Sequence, residues 1–166
     1  MINKINKLSQ SEFVKVFANI FEKTEWIAEL YKQVPFDNFE ELSLKMLNIF
    51  ENASREKKLK ILNAHPDLAN KTKISSLTSD SIKEQNSVGL DTCTKEEFEE
   101  FKKLNETYKK FGFPFILAVT GKNKIEILNN FKKRIYSDPE TEFNEAIKQV
   151  KQIASLRLNE LNNKVF

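Results

Sequence analysis

The chain has 166 residues, enough for a single domain with a sizeable core, and 14 phenylalanines within a hydrophobic fraction of 40% supply the material for it. Its 27 basic and 24 acidic residues are mixed along the sequence and leave a net charge of +3, without the concentrated basic stripe that nucleic acid requires. One cysteine, Cys93, excludes an intrachain disulfide and a thiolate metal cluster, and a single histidine leaves only a carboxylate-rich metal site conceivable.

Three glycines and four prolines give few breakers, and the apolar spacing is helical nearly throughout. This predicts an all-α fold of roughly eight helices in one domain over residues 1–166. The N-terminus MINKINKLSQ has no signal-peptide core, and no apolar run reaches the ~20 residues that span a bilayer. The terminal Lys164-Val165-Phe166 is not a Ser-Lys-Leu address. A soluble, cytoplasmic protein without membrane or nucleic-acid partners is the expectation.

In chain order, Ser9 and Glu12 stand in capping-box spacing ahead of Phe13, Val16, Phe17 and Ile20. After a break near Thr24 the pattern continues with Trp26, Ile27, Leu30 and Tyr31, and Val34-Pro35 ends it. Asn38 and Glu41 repeat the capping box before Phe39, Leu42, Met46, Leu47, Ile49 and Phe50. Ser54 caps a helix that runs through Leu59 and Leu62 to His65 and must stop near Pro66.

Residues 70–79 are polar and predict a loop. Ser79 or Asp80 can cap a short helix carrying Ser81, Glu84 and Gln85, closed by Gly89. Thr94 and Glu97 open a helix through Phe98, Phe101, Leu104, Tyr108 and Phe111 to Gly112. The run from Phe111 to Gly121, FGFPFILAVTG, is compatible with a buried strand or with an extended segment that enters a helix. A helix with Ile125, Leu128, Phe131 and Ile135 follows. Asp138 with Pro139 then opens the last and longest helix, whose stripe is Phe143, Ala146, Ile147, Val150, Ile153, Ala154 and Leu161.

Polar residues on apolar stripes are the candidates for chemistry. Arg157, four residues after Ile153 and four before Leu161, either snorkels with its stem packed and its head in water, or pairs with a structural carboxylate, or hooks an anion or oxygen in a pocket. Asn105, four after Phe101, reads as a hydrogen-bonder to a loop. His65 at a helix end is either a structural polar group or a proton-transfer group held at a fixed angle by Pro66, for which Glu84 and Gln85 offer a carboxylate and an amide. Cys93 lacks the signature of a nucleophile, and no glycine-rich phosphate loop is present.

The order HPDLA (65–69), SIKEQNSVGLD (81–91), FKKLNETYKKFGFPFILAVTG (101–121) and EFNEAIKQVKQIASLRL (142–158) resembles the 2-oxo-4-hydroxy-4-carboxy-5-ureidoimidazoline (OHCU) decarboxylases of urate degradation, over roughly Phe13 to Leu161. The resemblance implies an all-helical homodimer that uses no metal or organic cofactor and converts OHCU to (S)-allantoin. It assigns His65 as the essential histidine, Glu84 as its acidic partner and Arg157 as a substrate-binding arginine. Pro66, Ser81 and Gln85 become pocket residues, and the backbone of Phe115, Ile116, Leu117 and Ala118 becomes the segment against the ring. Asp67, Ala69 and the short loop after Asn70 are the departures at the pocket rim. The competing expectations are a non-catalytic helical ligand- or protein-binding module, and a member of the same fold that binds a related ureido or purine-derived compound.

Overall fold

Side chains that satisfy the free N–H groups of helix first turns account for where most helices begin. Ser9 and Glu12 form a reciprocal capping box at α2 (Gln10–Phe17), after the short α1 (Ile2–Ile5). Thr94 and Glu97 do the same at α7 (Lys95–Tyr108), as do Asn123 and Glu126 at α8 (Lys124–Arg134). The computed structural model describes residues 2–22, 26–70 and 78–164. Among them are nine α-helices, two short 3-10 turns and no strand, an all-α fold. The expected break near Thr24 and most of the expected loop at 70–79 lie outside the described residues.

The chain divides into two compact units, residues 1–61 with 151–166, and residues 62–150. The first holds α1, α2, α3 (Ile27–Tyr31), α4 (Phe39–Glu51), most of α5 (Arg55–Ala64) and the second half of α9 (Pro139–Lys164). Its core is aromatic. The Phe13 ring lies 4.6 Å from Phe17 and 5.5 Å from Tyr31, and Phe21 lies 5.0 Å from Phe50. The Asn6 amide donates to Phe36 O and accepts from its N–H, tying α1 to the chain ahead of α4.

The second unit holds the end of α5, α6 (Ser79–Ser87), α7, α8 and the first half of α9. Phe115 and Phe131 stack at 3.8 Å, and Tyr108 meets Phe115 edge-on at 5.4 Å. Burying one such side chain contributes about 1.5–3 kcal/mol, whereas an exposed pair such as Lys60–Glu56 contributes about 0–1, so the aromatic cores dominate stability.

Several local expectations shift. Asn38 accepts from the Glu41 N–H, but the Glu41 carboxylate reaches back to the N–H of Asp37, so the expected box is only half formed. Thr78, not Ser79 or Asp80, caps α6, because its hydroxyl accepts from the Ser81 N–H. Ile125 is 70% exposed; it sits in the first turn of α8, and Ile127 takes the core position instead. The Phe111–Gly121 run begins with the end of the 3-10 turn Lys109–Phe111, and Gly112 at φ 81° supplies the left-handed residue that stops it. Residues 113–119 then carry neither helix nor strand.

Candidate active site

The site candidates of the second unit gather on three segments. The first is the turn that follows α5. A proline cannot donate to a helix and disfavours helical geometry in the residue before it, so α5 ends at Ala64. His65 donates its N–H to Leu62 O at 3.2 Å and is 7% exposed. Leu68 and Ala69 are buried after it, with Ala69 at φ 55°, a left-handed conformation that a residue with a Cβ adopts only at a cost.

The second segment is α6. Ser81, Glu84 and Gln85 share one face at i, i+3 and i+4 spacing, with Ser81 and Gln85 buried and Glu84 half-buried. Gln85 shows what that face packs on. Its Oε1 accepts from the Ala69 N–H at 3.0 Å, and its Nε2 donates to Asp67 O at 3.5 Å. The face that carries Glu84 therefore lies against the turn that carries His65. Ile82, Lys83 and Asn86 line an open groove on the other side of α6.

The third segment is Phe113 to Val119, whose side chains are buried except for the half-buried Pro114. Two of its backbone groups are taken up by side chains from distant helices. Ile116 O accepts from Arg134 Nη1 at 2.7 Å, and the Ala118 N–H donates to Gln149 Oε1 at 2.9 Å. The Arg134 guanidinium also lies 4.5 Å from the centre of the Phe115 ring, a cation–π arrangement. Arg134 is fixed in turn by Glu142, whose Oε1 accepts from its Nε at 2.9 Å and Nη2 at 2.6 Å. The Tyr108 hydroxyl donates to the same oxygen. Burial, and then the Glu142 carboxylate, push the Tyr108 pKa well above its ordinary value.

Helix α7 links the segments. Asn105 Nδ2 donates to Leu68 O at 3.0 Å, the loop contact that its stripe position predicts, and Tyr108 one turn later reaches Glu142. Asn63, near the end of α5, donates to Gly112 O at 3.2 Å.

Arg157 belongs to the first unit. It is 4% exposed, and it donates from Nη1 to Asn19 O and from Nη2 to Glu22 Oε1, each at 2.7 Å. Both side chains of that ion pair are 3% exposed. The second unit's candidate residues, His65, Pro66, Ser81, Glu84, Gln85 and Phe115 to Ala118, thus lie on one turn, one helix face and one irregular segment.

Arg134, Glu142 and Gln149 escaped the sequence reading. Arg134 stands three residues after Phe131 and seven after Ile127, so the stripe argument that singled out Arg157 also applies to it. Glu142 resembles an ordinary first-turn acid, and Gln149 carries no pattern. Among the described residues no three His, Cys, Asp or Glu side chains gather as a metal site, and no helix is long and apolar enough to cross a membrane.

A family model described as OHCU decarboxylase matches residues 6–159. The 2-oxo-4-hydroxy-4-carboxy-5-ureidoimidazoline decarboxylase of Haloferax volcanii is 40% identical over 161 residues, which is 96% of this chain and 94% of that protein. The uric acid degradation bifunctional protein of Bacillus sp. (strain TB-90) is also 40% identical, over 96% of this chain but only 32% of its own length. The chain therefore spans about a third of the bifunctional relative and nearly all of the shorter one. Among solved structures, an (S)-allantoin synthase superposes with a TM-score of 0.76 at 29% identity, covering 97% of this chain and 54% of that one.

Proposed function

This chain belongs to the OHCU decarboxylase family, and we propose on that premise that it decarboxylates 2-oxo-4-hydroxy-4-carboxy-5-ureidoimidazoline to (S)-allantoin in urate degradation. The observation that carries the proposal is the position of the only imidazole. His65 is buried in a turn that Gln85 fastens to the helix face bearing Glu84.

The reaction breaks the bond between a ring carbon and its carboxylate. The electron pair moves into the ring toward the adjacent carbon–nitrogen double bond, so the electron sink belongs to the substrate and no cofactor is called for. CO2 leaves, the ring nitrogen that receives the pair takes up a proton from solvent, the hydroxyl on the decarboxylated carbon gives up its proton to become the product carbonyl, and the neighbouring carbon takes a proton. His65, oriented by Glu84, transfers the proton, and delivery to one face fixes the (S) configuration. Phe115, Ile116, Leu117 and Ala118, with Pro66, Ser81 and Gln85, bind the ring in this proposal, the apolar wall with a few polar groups typical of small-ligand sites.

Arg157 is the substrate-binding arginine. A guanidinium presents its donors in a planar fork that suits the oxygens of a carboxylate, ureido or ring carbonyl group. A grip on the oxygens that remain in the product suits catalysis better than one on the departing carboxylate, whose charge is lost in the transition state. Residues 1–166 act as one domain, in a cytoplasmic homodimer.

The test is circular dichroism of OHCU generated in situ from urate, with the spontaneous background subtracted. A positioned general acid–base contributes about 10²–10⁴-fold, so wild type should give rapid (S)-allantoin while folded His65→Ala falls to near the background rate. A wild-type trace no faster than background sinks the proposal.

A further inference from the structure

Three consecutive residues after Pro66 are held by two carboxamide side chains from different helices. Gln85 of α6 takes Asp67 O and the Ala69 N–H, and Asn105 of α7 takes Leu68 O between them. Backbone carbonyls in a turn are ordinarily left to water, and here the middle one is reserved for a side chain 37 residues away. The segment has reason to be held. Ala69 sits at φ 55°, which costs an L-residue free energy unless neighbouring contacts impose it.

Movement of this turn passes directly to the imidazole. Pro66 locks its own φ and restricts the residue before it, so the backbone between His65 and Asp67 has few soft torsions left. Among the described residues the Asn105 Oδ1 is buried with no hydrogen-bond partner, so the amide works through Nδ2 alone, on Leu68. An asparagine kept at that position for packing would be better replaced by an apolar residue.

We infer that Asn105 is a positioning residue of the decarboxylation: through Leu68 it holds the His65 turn at the place from which the imidazole reaches the substrate. This rests on the function proposed above. Asn105 itself touches neither substrate nor imidazole in this role. Its loss should act on the proton-transfer step more than on binding, since Gln85 and the Phe113–Val119 segment keep their own contacts.

The experiment compares wild type with Asn105→Leu, of similar volume but without a donor, and with Asn105→Ala in case the first does not fold. Two readouts are taken. The first is the imidazole proton NMR signal, which is free of overlap from other histidines because the chain has only one. The second is kcat and KM for in situ OHCU. The expected result is a displaced or broadened His65 signal, with kcat lower by about tenfold to a hundredfold and KM changed by less than about threefold. An unchanged imidazole signal with unchanged kcat in a folded variant overturns the inference, as does a loss confined to KM. The NMR readout needs no substrate, so a wild type that fails to turn over OHCU would defeat the functional proposal while a displaced signal still upheld the clamp.

Discussion

Glu142 is completely buried, and its Oε1 collects the Tyr108 hydroxyl and two donors of Arg134. A tyrosine in that environment must stay protonated in the fold, since burial and the neighbouring carboxylate both oppose its ionisation. The folded pKa lies above the ordinary value of 10.0, so the stabilisation is complete below that pH and is lost as pH rises above it, where only the unfolded chain releases the proton. Stability should therefore fall above pH 10 with a contribution from this group approaching about 1.4 kcal/mol per pH unit. Urea unfolding between about pH 9 and 11 should show a shallower decline in Tyr108→Phe than in wild type, from a lower starting stability; parallel curves would refute the assignment. At this scale the sequence was partly informative. A charged residue on an apolar stripe stands out, which is how Arg157 was noticed, and its carboxylate partner proved to be Glu22, far away in the chain. The convergence on Glu142 left no comparable trace, because a glutamate in a first helical turn is ordinary.

Helix starts were legible because capping is local. Ser9 with Glu12, Thr94 with Glu97, and Asp138 before Pro139 each complete their bonds within four residues, and all three form. The Phe111–Gly121 run was ambiguous for the opposite reason. The partners of Ile116 O and the Ala118 N–H are Arg134 and Gln149, 18 and 31 residues further on, and such contacts impose no period on the segment itself. The caps also separate stability from catalysis. Thr94 anchors the start of α7, three turns from Asn105, and touches none of the candidate site residues in its capping bonds. Thr94→Ala should lower unfolding stability by about 0.5–2 kcal/mol in urea titrations, with kcat and KM unchanged. A loss of kcat in that variant would mean that α7 transmits its N-terminal geometry to the His65 turn.

For the whole chain, composition and the order of four motifs carried fold class and family, while the division into two units was hidden because α5 and α9 run across it without a linker. Charge is the remaining property at this scale. The proposed substrate carries a carboxylate, and the protein carries a net +3, so attraction has the favourable sign. Much of the positive charge is neutralised where it arises, by pairs such as Lys45–Glu41, Lys124–Glu97, Lys132–Glu100 and Lys151–Glu51. At about 0.15 M salt the screening length is ~8 Å, shorter than the reach that a diffuse excess of charge would need to guide a small anion. Steering should therefore be weak, and kcat/KM for in situ OHCU should change by less than about threefold between ~0.01 and ~0.15 M salt at fixed pH. A fall of tenfold or more would require a focused positive field around the site, stronger than the mixed distribution of lysines and acids provides.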